Sequence, residues 1–181
     1  GQLFHDAVVS GKTICGPVIA SAIEKALKMG ESNACMKRIV AAPTAGACGV
    51  VPAVYLTLQE QRQIDDERML EAMYIASGVG GVIANRAFLA GAAGGCQAEI
   101  GSASSMAAAG AVYLAGGDTE AIIHAAAMAM KNLLGLACDP VAGLVEVPCV
   151  KRNVVGAVNA LSAADMALAG VRSIIPPDEV F

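Results

Sequence analysis

The sequence predicts an all-α protein, a compact bundle whose helices pack through small residues. Apolar residues make up 56% of the 181-residue chain but aromatics only 3%, with no Trp, whereas all-β folds lean on aromatic and β-branched side chains. The 37 Ala and 20 Gly leave much of the chain with almost no side chain, which suits close helix–helix approach. Between Gly and Pro punctuation, apolar residues recur at helical intervals. This length fits one domain over residues 1–181, and the high apolar content excludes disorder.

About six helical segments are expected. The first covers Leu3 to Met29, with a break or kink at Gly16-Pro17 and a stop at Gly30. A loop from Glu31 to Ala42 leads into Pro43-Thr44-Ala45-Gly46-Ala47-Cys48-Gly49 and a helix to about Gln63, with Pro52 tolerated in its first turn. Asp65 and Asp66 cap the next helix, in which Gly78-Val79-Gly80-Gly81 is either a break or a close crossing. Helix resumes through Ile83, Ala87 and Phe88 and ends before Gly94-Gly95. Cys96 to Leu114 reads as a small-residue helix, Gly116-Gly117-Asp118 as a stop and new N-cap, and Thr119 to Ala137 as the most apolar helix, ended by Asp139-Pro140. A loop runs to Pro148-Cys149, and Asn153 to Ala169 forms the last helix.

A net charge of −4 gives no electrostatic footprint for nucleic acid. A mean hydropathy of +0.59 raises the question of a membrane. Two stretches, Ile39 to Gln59 and Ile100 to Gly117, lack formal charge over about a spanning length. The first is broken by Pro43 and Pro52, the second is Ala, Gly and Ser, and neither has aromatic belts or a basic flank. Buried helices, and no membrane, are the expectation. Charged residues at helical intervals through Gly1 to Met29 argue against a signal peptide.

Six Cys fall at 15, 35, 48, 96, 138 and 149, with no C-x-x-C. Without a secretion signal, free thiols or metal ligands in a reducing compartment are expected rather than disulfides. Three have surroundings suited to a thiolate. Cys96 follows Gly94-Gly95 at a predicted helix N-terminus, Cys138 precedes Asp139-Pro140, and Cys149 precedes Lys151-Arg152. The alternative is that all six are small core residues.

The runs Arg38 to Gly46, Gly91 to Ser102 and Cys138 to Asn153 resemble the catalytic, or alpha, part of iron–sulfur-dependent L-serine dehydratases, and the likeness extends from about Lys12 to Val180. The resemblance implies an α-helical part in which Cys96, Cys138 and Cys149, in loops and at helix ends, hold a [4Fe–4S] cluster. It implies a lyase that eliminates water from L-serine to give pyruvate and ammonia, the cluster acting as Lewis acid. It further implies a beta subunit or domain carrying the base histidine, and a C-terminal tail, both outside this chain. The catalytic base is thus unknown within these residues. A cytoplasmic enzyme of amino-acid degradation and gluconeogenesis, working as an oligomer, is expected.

Substrate contacts are candidates only. Thr44 offers a hydroxyl and nearby N–H groups to a carboxylate, or forms a simple turn. Gln97 and Glu99 are placed to orient Cys96 or to bind the substrate amine. Arg152 and Asn153 are placed to pair with a carboxylate, although an Arg at a helix start is equally a solvated one. His5 is expected on a helix face and His124 as a satisfied core residue. The competing readings are an iron–sulfur lyase for another β-substituted amino acid, such as a cysteine desulfidase, and a non-enzymatic helical subunit or membrane bundle.

Overall fold

The computed structural model describes residues 1–143 and 146–181, and for 146–148 the backbone alone. It is all-α: α1 (Gln2–Val9), α2 (Pro17–Ala34), α3 (Val50–Arg62), α4 (Asp66–Arg86), α5 (Gly91–Cys96), α6 (Ser102–Leu114), α7 (Thr119–Lys131), α8 (Glu146–Leu168) and α9 (Pro177–Val180). A 3-10 turn at Ala45–Ala47 precedes α3, and a π turn at Gln97–Gly101 joins α5 to α6.

Helix α6 is the axis, surrounded by α3, α4, α7 and α8. Every residue of it except Tyr113 is buried. This accounts for the uncharged run at Ile100 to Gly117: the segment is apolar because protein encloses it, and among the described residues no single helix is long and apolar enough to cross a membrane. Its side chains are short, so neighbouring backbones come close. At Gly110 a Cβ would lie 1.7 Å from the Tyr55 hydroxyl, which instead donates to the carbonyls of Ala72 at 3.1 Å and Met106 at 3.4 Å. Two of the buried serines, Ser104 and Ser105, are held by backbone carbonyls, which offset the cost of burying a hydroxyl. Ser104 donates to Gly156 O and Ser105 to Ala126 O, each at 2.9 Å.

The predicted caps are present: Asp65 accepts from the Arg68 N–H and Asp118 from the Ala121 N–H, both at 2.8 Å. Several boundaries differ from expectation. Gly16-Pro17 is a full break between α1 and α2, and α2 runs through Gly30 because a Cβ there would meet the Val150 backbone at 3.1 Å. The Gly78–Gly81 run stays helical, with Gly80 taking the Met106 side chain at a close crossing. Helix α4 ends at Arg86, short of Phe88, and α5 is broken at Gly95, whose backbone is not helical, so that a helical run starts anew at Cys96 as expected. Helix α7 stops at Lys131, well before Asp139-Pro140, in a turn that reaches Gly135 at φ +88°. Helix α8 begins at Glu146, since Pro148 fits a first turn, where its missing N–H is not needed. The expected loop up to Pro148 therefore ends earlier, and Leu144 and Val145 lie outside the described residues.

Candidate functional site

Three segments, around Gly95, around residues 136–138 and at the start of α8, meet at one end of α8. The first turns a corner at Gly95, whose φ of +66° and ψ of −166° belong to glycine. The corner makes Cys96 the first residue of a new helical run that continues through the π turn. The second segment packs onto this corner: the Gln97 N–H donates to Leu136 O at 3.0 Å, and a Cβ on Gly95 would lie 3.4 Å from the Cys138 nitrogen. The third is the first turn of α8, which carries Cys149.

Asn153 braces the assembly from within. It is 1% exposed, accepts from the Gly49 N–H at 2.7 Å, and donates to Gly46 O at 2.9 Å and Cys149 O at 2.8 Å. Its amide is thereby spent on the backbones of the 3-10 turn and α8. Arg152, on the same helix, makes a second tie. One arm donates to Cys96 Sγ at 2.7 Å and the other pairs with Asp139 at 2.5 Å, joining the Cys96 segment to the residue after Cys138.

Cys96, Cys138 and Cys149 line a single pocket of about 500 Å³, walled by Gly46 and Gly91 and reached by Glu99. Cys96 is buried, Cys149 half-buried and Cys138 exposed. At Cys96 and Cys149 burial works against a lone thiolate. Burial pushes the Cys96 thiol up against the opposing pull of Arg152, and burial, then the neighbouring Cys96 and Glu99, push Cys149 up to about 11. Without added positive charge the Cys149 thiol stays protonated near neutral pH.

Among the described residues no three His, Cys, Asp or Glu side chains converge on a single metal ion. A four-iron cube takes its thiolates on separate corner irons, so it needs sulfurs spread around a cavity. Three soft sulfur donors on three separate segments around a glycine-walled pocket fit that demand.

Thr44 is not among the lining residues but stands behind one of them, its hydroxyl donating to Glu99 at 2.7 Å. Gln97 faces elsewhere. Its Nε2 donates to Met130 O at 3.0 Å, and it lines a neighbouring apolar pocket of about 230 Å³ in which its Oε1 and the Ser102 hydroxyl have no partner among the described residues. Cys15 and Cys35 are exposed and Cys48 is buried; none of the three lines this pocket, although Cys35 stands between Ala34 and Met36, which do. His5 sits against Glu24 at 3.0 Å. His124 is half-buried rather than in the core, accepting from the Ser173 N–H at 3.2 Å beside a separate cavity. The sequence reading did not single out Asp139 or the two wall glycines. Asp139 had only its place beside Cys138 as a signal, and the glycines had none until their neighbour was known.

Fold and site together define a helical protein that gathers three thiols around one glycine-walled pocket. The chain belongs to the serine dehydratase alpha chain family, whose model matches residues 2–181. It is 56% identical over 94% of its length to a probable L-serine dehydratase alpha chain of Bacillus subtilis, of which it spans 57%. It is 55% identical over 90% of its length to the counterpart in Latilactobacillus sakei, covering 78% of that protein. It is also 46% identical over 79% of its length to the L-serine dehydratase TdcG of Escherichia coli, of which it covers 32%.

Proposed function

We propose that this chain is the cluster-bearing part of an L-serine dehydratase, a carbon–oxygen lyase that converts L-serine to pyruvate and ammonia. The observation that carries the reading is the single pocket lined by Cys96, Cys138 and Cys149 in a chain of this family. A [4Fe–4S] cluster bound there through three thiolates supplies an iron without a Cys ligand, a Lewis acid toward the substrate hydroxyl.

The chain's own residues hold and shape that place. Arg152 directs a guanidinium N–H at the Cys96 sulfur and compensates its negative charge once deprotonated. Asn153 fixes the first turn of α8, and with it Cys149, against the 3-10 turn. Thr44 and Arg152 are assigned to the substrate carboxylate or hydroxyl because their partners Glu99 and Cys96 line the pocket, whereas Gln97 and Asn153 are assigned to the segments they hold. The proton-abstracting group is assigned to a beta subunit or domain, which completes the oligomeric enzyme. Six free cysteines suit a reducing cytoplasm, where amino-acid breakdown feeds pyruvate to gluconeogenesis.

Anaerobic reconstitution of the cysteine variants tests the reading. Cys96→Ser, Cys138→Ser and Cys149→Ser should each lose iron, acid-labile sulfide and the visible chromophore, while Cys15→Ser and Cys35→Ser keep all three. Equal iron in all five variants overturns the ligand assignment. With the beta part added, pyruvate from L-serine separates a dehydratase from a desulfidase, which would release sulfide from L-cysteine.

A further inference from the structure

Beside the three thiols the pocket holds one carboxylate, Glu99, for which the sequence leaves two roles open, orienting Cys96 or binding the substrate amine. Glu99 projects from the π turn into the same cavity, and π turns of this kind recur at functional sites. Its carboxylate is seated closely. Thr44 donates to Oε1 at 2.7 Å. A Cβ at Gly46 would come to 2.7 Å from Oε2, and one at Gly91 to 2.6 Å. Two backbones from different parts of the chain thus have glycine where this carboxylate lies. Among the described residues Glu99 makes no ion pair, and Arg152, the cation that reaches the Cys96 sulfur, is engaged with Cys96 and Asp139.

A carboxylate held in place by a hydroxyl and close backbone, with no cation of its own, is arranged to receive a cationic ligand group. Resting on the proposed dehydratase reading, we infer that Glu99 binds the α-ammonium of the substrate. The pocket would accordingly select β-hydroxy α-amino acids over the corresponding hydroxy acids. The Thr44 hydroxyl orients the carboxylate, and the glycines at 46 and 91 leave it room.

The test uses the complete enzyme with its beta part and a reconstituted cluster. Glu99→Gln keeps the shape and the Thr44 hydrogen bond but removes the charge. It should retain iron content and the resting absorption spectrum while raising KM for L-serine about tenfold or more, the loss expected for one charge-assisted hydrogen bond. Glycerate, in which a hydroxyl replaces the ammonium, should inhibit the wild type weakly and Glu99→Gln at least as well. Gly46→Ala, which displaces the carboxylate without replacing it, should raise KM in the same direction. An unchanged KM in folded, cluster-loaded Glu99→Gln overturns the inference while leaving the dehydratase reading intact. Loss of iron in Glu99→Gln makes the residue a cluster ligand and overturns it equally. A wild-type enzyme that does not turn over L-serine overturns both.

Discussion

Gly110 and Tyr55 make the tightest crossing at the centre of the bundle. The space a Cβ would need at Gly110 is filled by the Tyr55 hydroxyl, 1.7 Å away, with the ring carbon Cζ at 2.5 Å. Burial holds that hydroxyl protonated well above its ordinary range, as a donor to two backbone carbonyls. Gly110→Ala should therefore force α3 and α6 apart and destabilise the fold by about 1–3 kcal/mol, the usual cost of overpacking a core. Thermal unfolding of Gly110→Ala alone and combined with Tyr55→Phe checks the mechanism. Removing the hydroxyl relieves the nearest clash but not the one with Cζ, so the double variant should recover part of the loss. No recovery at all would mean that the crossing is not what makes glycine necessary there.

Between elements, α1 has no fully buried residue and meets α2 through partly buried side chains and the His5–Glu24 contact. Lys28, and then His5, hold the Glu24 carboxyl below its ordinary value of 4.5 against the opposing effect of burial. A carboxyl with a lower value folded than unfolded stabilises the native state above 4.5, and that increment disappears as pH falls through the lowered value. Glu24→Gln should thus melt earlier than wild type at neutral pH, the difference shrinking as the solution is acidified past 4.5. A difference that is constant with pH would place the effect in packing instead.

What the sequence made legible at this scale was local. The caps at Asp65 and Asp118 each need only a carboxylate and an N–H three residues on, and both were readable. The glycines were not, because Gly30 and Gly80 sit in helices to make room for Val150 and Met106, partners distant along the chain. The thiol pocket was less readable still. Spacing among Cys96, Cys138 and Cys149 gives no sign that they meet, and only the resemblance joined them. The corner at Gly95 and the buried brace at Asn153, which bring them together, depend on contacts with residues 136–138 and 46–49.

For the whole molecule, burial divides the chain into a closed centre and a loosely attached end. Amides of α6, enclosed on all sides, should exchange hydrogen only on global unfolding, whereas those of α1 should exchange through local opening at a small fraction of that free energy. Exchange followed by mass spectrometry should rank α6 slowest and α1 among the fastest, and similar protection in both would contradict this layering. The shortness of the buried side chains around α6 has a mechanical consequence. Alanine has no rotamers to freeze on folding, so the core orders at little side-chain entropy cost, but for the same reason it has no alternative rotamers with which to absorb a change in volume. A methyl added at Gly156, on the α6–α8 seam, would lie 2.9 Å from side-chain carbons of both Ile100 and Val50, so these packed neighbours and the helix that carries the methyl must shift. Helix α8 carries Cys149 in its first turn, so such a displacement acts as a lever on the thiol pocket some two turns away along the same rod.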